Sequence, residues 1–167
     1  MIKVLEPVVD EFQQECAITR RVLERVPEAK LGWKPHAKSM SLGQLALHIA
    51  SIPGNLARLS QLEEFDASQA NFNPPAATST AQILDTFDTG IKDAKACISS
   101  LDESGAAKTW CLKANGKDVF TTTRGGLVRS IMLNHWYHHR GQLSVYLRLL
   151  DVPVPVIYGR SADESPF

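Results

Sequence analysis

Residues 124–150 read RGGLVRSIMLNHWYHHRGQLSVYLRLL, and the spacing of their apolar side chains sets the fold class. Leu127, Val128, Ile131, Met132, Tyr146 and Leu149 recur at helical intervals, and Asp151-Val152-Pro153 stops the run. A long amphipathic helix is therefore predicted, starting between Arg124 and Leu127 and ending at Leu150. Three histidines lie within it. His135 and His139 are four residues apart, which stacks them one turn above the other on one face. His138 is rotated about 100° from His139 and cannot easily join them. Val128, Ile131 and Met132 share the side of His135, so this face is directed toward a core.

Upstream, three more segments carry the same period. The first covers approximately Glu6 to Val26, with Val8, Val9, Phe12, Cys16, Val22 and Leu23 as its stripe; Pro7 suits its start and Pro27 ends it. The second begins after Ser41, where Ser41 and Gln44 form a capping-box pattern, and continues through Leu45, His48, Ile49, Ile52 and Leu56. Pro53-Gly54 interrupts this run and predicts a kink or break. The third begins after Ser79, with Gln82 as a second capping-box partner, and ends near Leu101.

The connections are long. Asp66 to Thr78, with Pro74-Pro75 at its centre, reads as a loop. Lys108–Leu112 and Asp118–Thr122 flank Asn115-Gly116, a dipeptide suited to positive φ, and predict a hairpin. The tail, with Pro153, Pro155 and Pro166, should be extended. These elements imply an all-α four-helix bundle, residues 1–167 as a single domain, with a small β-hairpin between the third and fourth helices. Up-down-up-down and up-down-down-up packing orders are equally compatible with the connections.

Composition narrows the function. The chain has 167 residues, enough to bury roughly 70% of its unfolded surface. It is 44% hydrophobic and 22% charged, as a soluble globular protein should be. Eighteen basic residues balance eighteen acidic ones, for a net charge of zero and no basic stripe, which argues against a nucleic-acid partner. Cys16, Cys97 and Cys111 are odd in number and widely spaced, so reduced thiols in a cytosol are expected. No stretch approaches the ~18 apolar residues of a membrane span. The segment from Met1 to Pro7 lacks a signal-peptide pattern, and the protein is expected to be cytoplasmic.

His48 sits in the stripe of Leu45, Ile49 and Ile52 and should point inward. A buried imidazole without a partner costs roughly 1–3 kcal/mol, and a shared divalent cation would satisfy His48, His135 and His139 together. Three neutral nitrogens with a fourth position open are the donor set of a catalytic zinc-type site, and suit nickel or iron as well. Trp136 follows His135 where a zinc protease needs glutamate, which excludes that signature. Spacing alone leaves an ordinary core histidine and two helix-surface histidines equally open. Around these positions, Arg140 reads as a helix-surface ion pair. Gly141, at a cost of about 1 kcal/mol inside a helix, predicts a close helix approach. Gln44 borders the site but is explained by capping, and Gln142 could orient a ligand histidine from behind. Trp33, Trp110, Trp136 and Tyr137 read as packing residues.

Trp33-Lys34-Pro35-His36, the run Ser39-Met40-Ser41-Leu42-Gly43-Gln44-Leu45 with His48, the segment Asn134-His135 with His138-His139-Arg140-Gly141-Gln142-Leu143, and Val154-Pro155 with Ile157-Tyr158-Gly159 resemble the DinB/YfiT-like family over nearly the whole chain. The resemblance implies a DinB-type four-helix bundle, commonly a homodimer, with three metal ligands that map onto His48, His135 and His139. It implies a metal-dependent protein acting on a small-molecule substrate, with a divalent metal (zinc, nickel or iron) and a low-molecular-weight thiol as co-substrate of an S-transferase. A metal-dependent hydrolase and a non-catalytic metal-binding stress-response module are the alternatives; a closed site with a fourth protein ligand would mark the module.

Overall fold

The computed structural model describes residues 5–165. The main helices are α1 (Glu6–Leu23), α2 (Leu42–Leu59) and α3 (Thr80–Ser99), followed by a short α4 (Glu103–Ala107). The fourth long helix is built in three pieces: α5 (Arg124–Gly126), a π-helical segment (Leu127–Leu133) and α6 (Asn134–Leu149). The π segment was not foreseen. Such segments are uncommon and often adjoin functional sites, and this one ends two residues before His135.

Local signals place the starts of α2 and α3 as expected, whereas α1 ends at Leu23, short of the expected Val26. Both bonds of the Ser41–Gln44 capping box form. At α3 the box is half made: the Ser79 hydroxyl accepts from the Gln82 amide N–H, while the Gln82 side-chain carbonyl turns to Thr78.

Side-chain contacts fix the packing order that the sequence left open. Gly54 abuts Gly90, Arg58 pairs with Asp93, and Gln61 donates to the Cys97 carbonyl, so α2 and α3 run parallel. Thr80 reaches Val26 and Arg20 pairs with Asp88, so α1 is antiparallel to α3. Glu11 meets Tyr137 and Glu15 meets Arg140, so α6 runs with α1. The bundle is up-down-down-up. Its core contains Phe12, Leu45, Ile49, Ile83, Phe87, Met132, Trp136 and Leu143, all buried.

Pro53 does not break α2, contrary to expectation; the helix continues from Leu42 to Leu59. A proline removes the bond that its missing N–H would give to the carbonyl four residues back, here that of Ile49. The indole Nε1–H of Trp136 donates to that carbonyl at 3.1 Å. The interruption is thus repaired from α6. The same device closes the far end of α2, where Trp110 Nε1–H donates to the Leu59 carbonyl at 3.1 Å.

Gly141 overturns a second expectation. It is exposed, and a Cβ there would meet nothing within 4 Å. The close approach lies elsewhere, between Gly54 and Gly90, where a Cβ on Gly54 would sit 2.9 Å from the Gly90 Cα.

The predicted hairpin forms from β2 (Thr109–Ala114) and β3 (Lys117–Thr123), with Asn115 at φ 52° and Gly116 at φ 74°. A third strand, β1 (Glu64–Asp66), pairs parallel with β2, taken from the edge of the region read as loop. Its three exposed or half-buried residues carry no periodicity, so only the pairing reveals it. The Asp66 carboxylate accepts from the backbone N–H groups of Asn115 and Gly116 and from Ser68; these bonds hold its pKa down to about 2.

The tail is not simply extended. After Asp151, at φ 56°, it turns back along α1, where Arg21 donates to the Val156 carbonyl at 3.0 Å. Arg148 and the Val154 N–H both bind Asp163.

Candidate metal centre

His48 projects from the middle of α2, and His135 and His139 from successive turns of α6. Trp136, between the two, is anchored on Ile49, the residue after His48. The bond that mends the proline interruption therefore also sets the height of α6 against α2. Beside this bond the three imidazoles converge, with one donor nitrogen from each lying within 4.8 Å of the others. All three rings are half-buried.

The donor chemistry fits a cation. His48 Nε2 and His135 Nε2 stand 3.1 Å apart. Two nitrogens held about 2.0–2.1 Å from one ion are roughly 3.0–3.4 Å apart, so this separation matches a shared ion. A direct hydrogen bond between those two rings would also give this distance, but would leave the His139 Nε2 without a partner. The Nδ1 of His139 lies 2.8 Å from the Gln142 carbonyl oxygen, which can only accept; this puts the proton on Nδ1 and leaves the Nε2 lone pair free.

Electrostatics keep the rings neutral. Burial pushes His48 and His135 down to about 4, reinforced by the neighbouring histidines. His139 is also lowered by burial, with the Gln142 hydrogen bond opposing the shift. A cluster that resists protonation offers three lone pairs at neutral pH, as a metal ligand set requires.

His138 is exposed on another face and accepts from the Gln142 amide at 3.2 Å. Gln142 thus bridges His139 and His138. His36 lies in the loop before α2, exposed, its Nδ1 accepting from the Lys38 N–H at 3.1 Å. Gln44 is occupied by its cap and by the Pro74 carbonyl. Among the described residues no fourth histidine, cysteine or carboxylate joins the three. His48 also lines a cavity of about 400 Å³ between α2, α3 and the loop that carries Phe72.

Arg140 corrects a third expectation. It makes an ion pair, but a buried one, and the residue is 1% exposed. Its guanidinium binds Glu15, Thr19 and the Tyr158 hydroxyl and packs over the rings of Tyr137 and Tyr158. A guanidinium with five donors in a fixed fork can hold several elements at once, and here it ties α6 to α1 and to the tail. The available signal was Glu15 and Thr19, one turn apart on the face of α1 that also carries Phe12.

The comparisons agree with this fold. The DinB family model matches residues 1–166. Protein YrdA of Bacillus subtilis (strain 168), itself uncharacterised, is 23% identical over 164 residues, covering 98% of this chain and 93% of that protein. A DinB-like protein from Bacillus cereus has the same fold at TM-score 0.73 and 20% identity, covering 95% of this chain and 100% of that one. The DinB-like protein YjoA of Bacillus subtilis superposes at TM-score 0.69 and 20% identity, over 93% of this chain and 100% of that one. With its fold, its converging histidines and a family match over nearly its whole length, the chain belongs to the DinB family.

Proposed function

We propose that His48, His135 and His139 hold one divalent metal ion and that the protein is a metal-dependent enzyme acting on a small molecule. The observation that carries this is the convergence of three neutral imidazole nitrogens, with no fourth protein ligand among the described residues and a cavity against one of the rings. A closed structural site would use a fourth protein ligand; three histidines leave a position for an exogenous one. Zinc, nickel and iron all suit this donor set. A bound cation would supply Lewis acidity and lower the pKa of a thiol or water presented to an electrophile. The chain's own contribution is to keep the imidazoles unprotonated by burial and to fix the His139 tautomer through Gln142. Thiol-dependent S-transfer is favoured over hydrolysis on family resemblance, and the same resemblance motivates a homodimer.

Metal analysis of purified protein, followed by a screen of low-molecular-weight thiols against small electrophiles, tests the proposal. One equivalent of metal and thiol consumption that stops on chelation is expected. Protein that binds no zinc, nickel or iron at micromolar concentration would overturn the metal reading. Stoichiometric metal without turnover of any thiol or ester would favour the non-catalytic module. Light scattering at high micromolar concentration tests the dimer, and a monomer there removes that part.

A further inference from the structure

The cavity beside His48 has a chemistry of its own. Its walls come from α2, α3 and the loop after β1, and they include Asn55, Asn71, Phe72, Gln82 and Thr86. Three side-chain amides thus converge on it from three elements. Each side chain is exposed, and each has its carbonyl oxygen engaged by a neighbouring group of the protein. Asn55 Oδ1 accepts from Arg58 at 2.8 Å, Asn71 Oδ1 from the Asn73 N–H at 2.9 Å, and Gln82 Oε1 from the Thr78 N–H at 2.8 Å.

Those donors cannot act as acceptors, so they decide which end of each amide is oxygen. What remains of every one is its NH2 group. None of the three NH2 groups has a hydrogen-bond partner among the described residues. The cavity lining includes no charged side chain. At its rim Phe72 is 74% exposed, the most exposed of the large apolar side chains among the described residues. Fixed donors around a cleft, with an unpaired aromatic face beside them, are complementary to acceptor oxygens on a partly apolar ligand.

We propose that this cavity is the substrate subsite, and that it takes a small molecule bearing carbonyl-type oxygens (ketone, ester, amide or carboxylate) with a planar or apolar portion against Phe72. The assignment of substrate rests on the proposed metal at His48; binding in the cavity does not. The Asn55, Asn71 and Gln82 amides would orient the carbonyl end, and Phe72 would cover the ligand from solvent. A cationic ligand that only donates hydrogen bonds would find no acceptor among the three NH2 groups, and only the weaker attraction of the Phe72 ring face.

The test uses three probes on one skeleton: 3-phenylpropanamide, 3-phenylpropanoate and 3-phenylpropylammonium. They are titrated into the full-length 15N-labelled protein, metal-free and zinc-loaded, while the side-chain NH2 signals of Asn55, Asn71 and Gln82 are followed. Saturable shifts of these signals with at least one of the two acceptor probes, at least tenfold tighter than with the ammonium, are expected in both forms. Asn55→Asp, Asn71→Asp and Gln82→Glu keep the internal acceptor bonds but replace each NH2 donor by an anionic oxygen, so the uncharged Asn55→Ala, Asn71→Ala and Gln82→Ala are measured beside them; each variant of both sets should weaken the acceptor probe at least fivefold, which separates lost donors from added charge. Equal affinity for the ammonium, no saturable shift of the amides, or variants that bind like wild type would overturn the subsite. Shifts in the metal-free form with no zinc bound afterwards would sustain the cavity and sink the metal reading. Zinc binding with silent amides would do the reverse.

Discussion

Changing Gly54 and Gly141 separately to alanine makes the same chemical addition on two helices, and stability is expected to move in opposite directions. A Cβ at Gly54 would lie 2.9 Å from the Gly90 Cα and 3.2 Å from the Gly90 carbonyl oxygen. Carbon atoms in contact prefer about 3.5–4.0 Å, and both obstacles are backbone that cannot rotate aside. Helices α2 and α3 must part by roughly half an ångström or more over a buried contact. Overpacking typically costs about 1–3 kcal/mol, and two backbone obstacles this close put Gly54 in the upper part of that range, about 2–3 kcal/mol, offset by about 1 kcal/mol from the better helix propensity of alanine. The net loss expected for Gly54→Ala is about 1–2 kcal/mol. At Gly141 the added methyl meets nothing within 4 Å, so only the propensity gain of about 0.5–1 kcal/mol applies. For a domain of this size 1 kcal/mol moves Tm by about 2–4 °C, so the two variants, about 1.5–3 kcal/mol apart, should differ by about 3–12 °C. Thermal unfolding followed by circular dichroism at fixed pH measures this. A Gly54→Ala protein as stable as wild type, or a Gly141→Ala protein that loses stability, would refute the packing argument.

Other outcomes follow from the same contacts. Alanine at His135 or His139 should abolish or greatly weaken metal binding, whereas His138→Ala should leave most of it, because His138 lies outside the cluster; equal losses in all three would mean that the wrong face of α6 was assigned. His48 and His135 are lowered from 6.5 to about 4, so between those values the unfolded chain binds more protons than the folded one. Their contribution to metal-free stability is therefore complete above pH 6.5 and lost as pH falls toward 4, by about 1–2 kcal/mol per ring after allowance for solvent screening. The double variant His48→Gln/His135→Gln should flatten Tm over that window, and an unchanged slope would count against the assignment. Arg140→Ala leaves Glu15 buried without its partner and should cost about 3–5 kcal/mol in denaturant unfolding; a loss under 1 kcal/mol would contradict the buried pair. Trp136→Phe strips the Ile49 carbonyl of its donor and should cost about 1–3 kcal/mol, with a smaller loss if Pro53 is replaced by alanine in the same chain.

The sequence by itself determined the four main helices, the hairpin and which histidines were candidates to cluster. Helical periodicity, the Ser41 and Ser79 caps and the Asn115-Gly116 turn are local devices, and each acts within a few residues of where it is written. The four-residue interval of His135 and His139 is likewise a property of any helix, and His48 was placed on an inward face by its apolar neighbours. Tertiary structure decided everything that depends on what lies opposite. Pro53 looked like a break because the donor that replaces its missing N–H is Trp136, on a helix far along the chain. Gly141 looked like a contact and Arg140 like a surface ion pair because sequence shows that a residue is special without showing its partner. Strand β1 exists only through its pairing with β2, and the up-down-down-up order follows from side chains meeting across helices. That the three imidazoles share one point in space rests on the same kind of contact, the Trp136–Ile49 bond that sets α6 against α2.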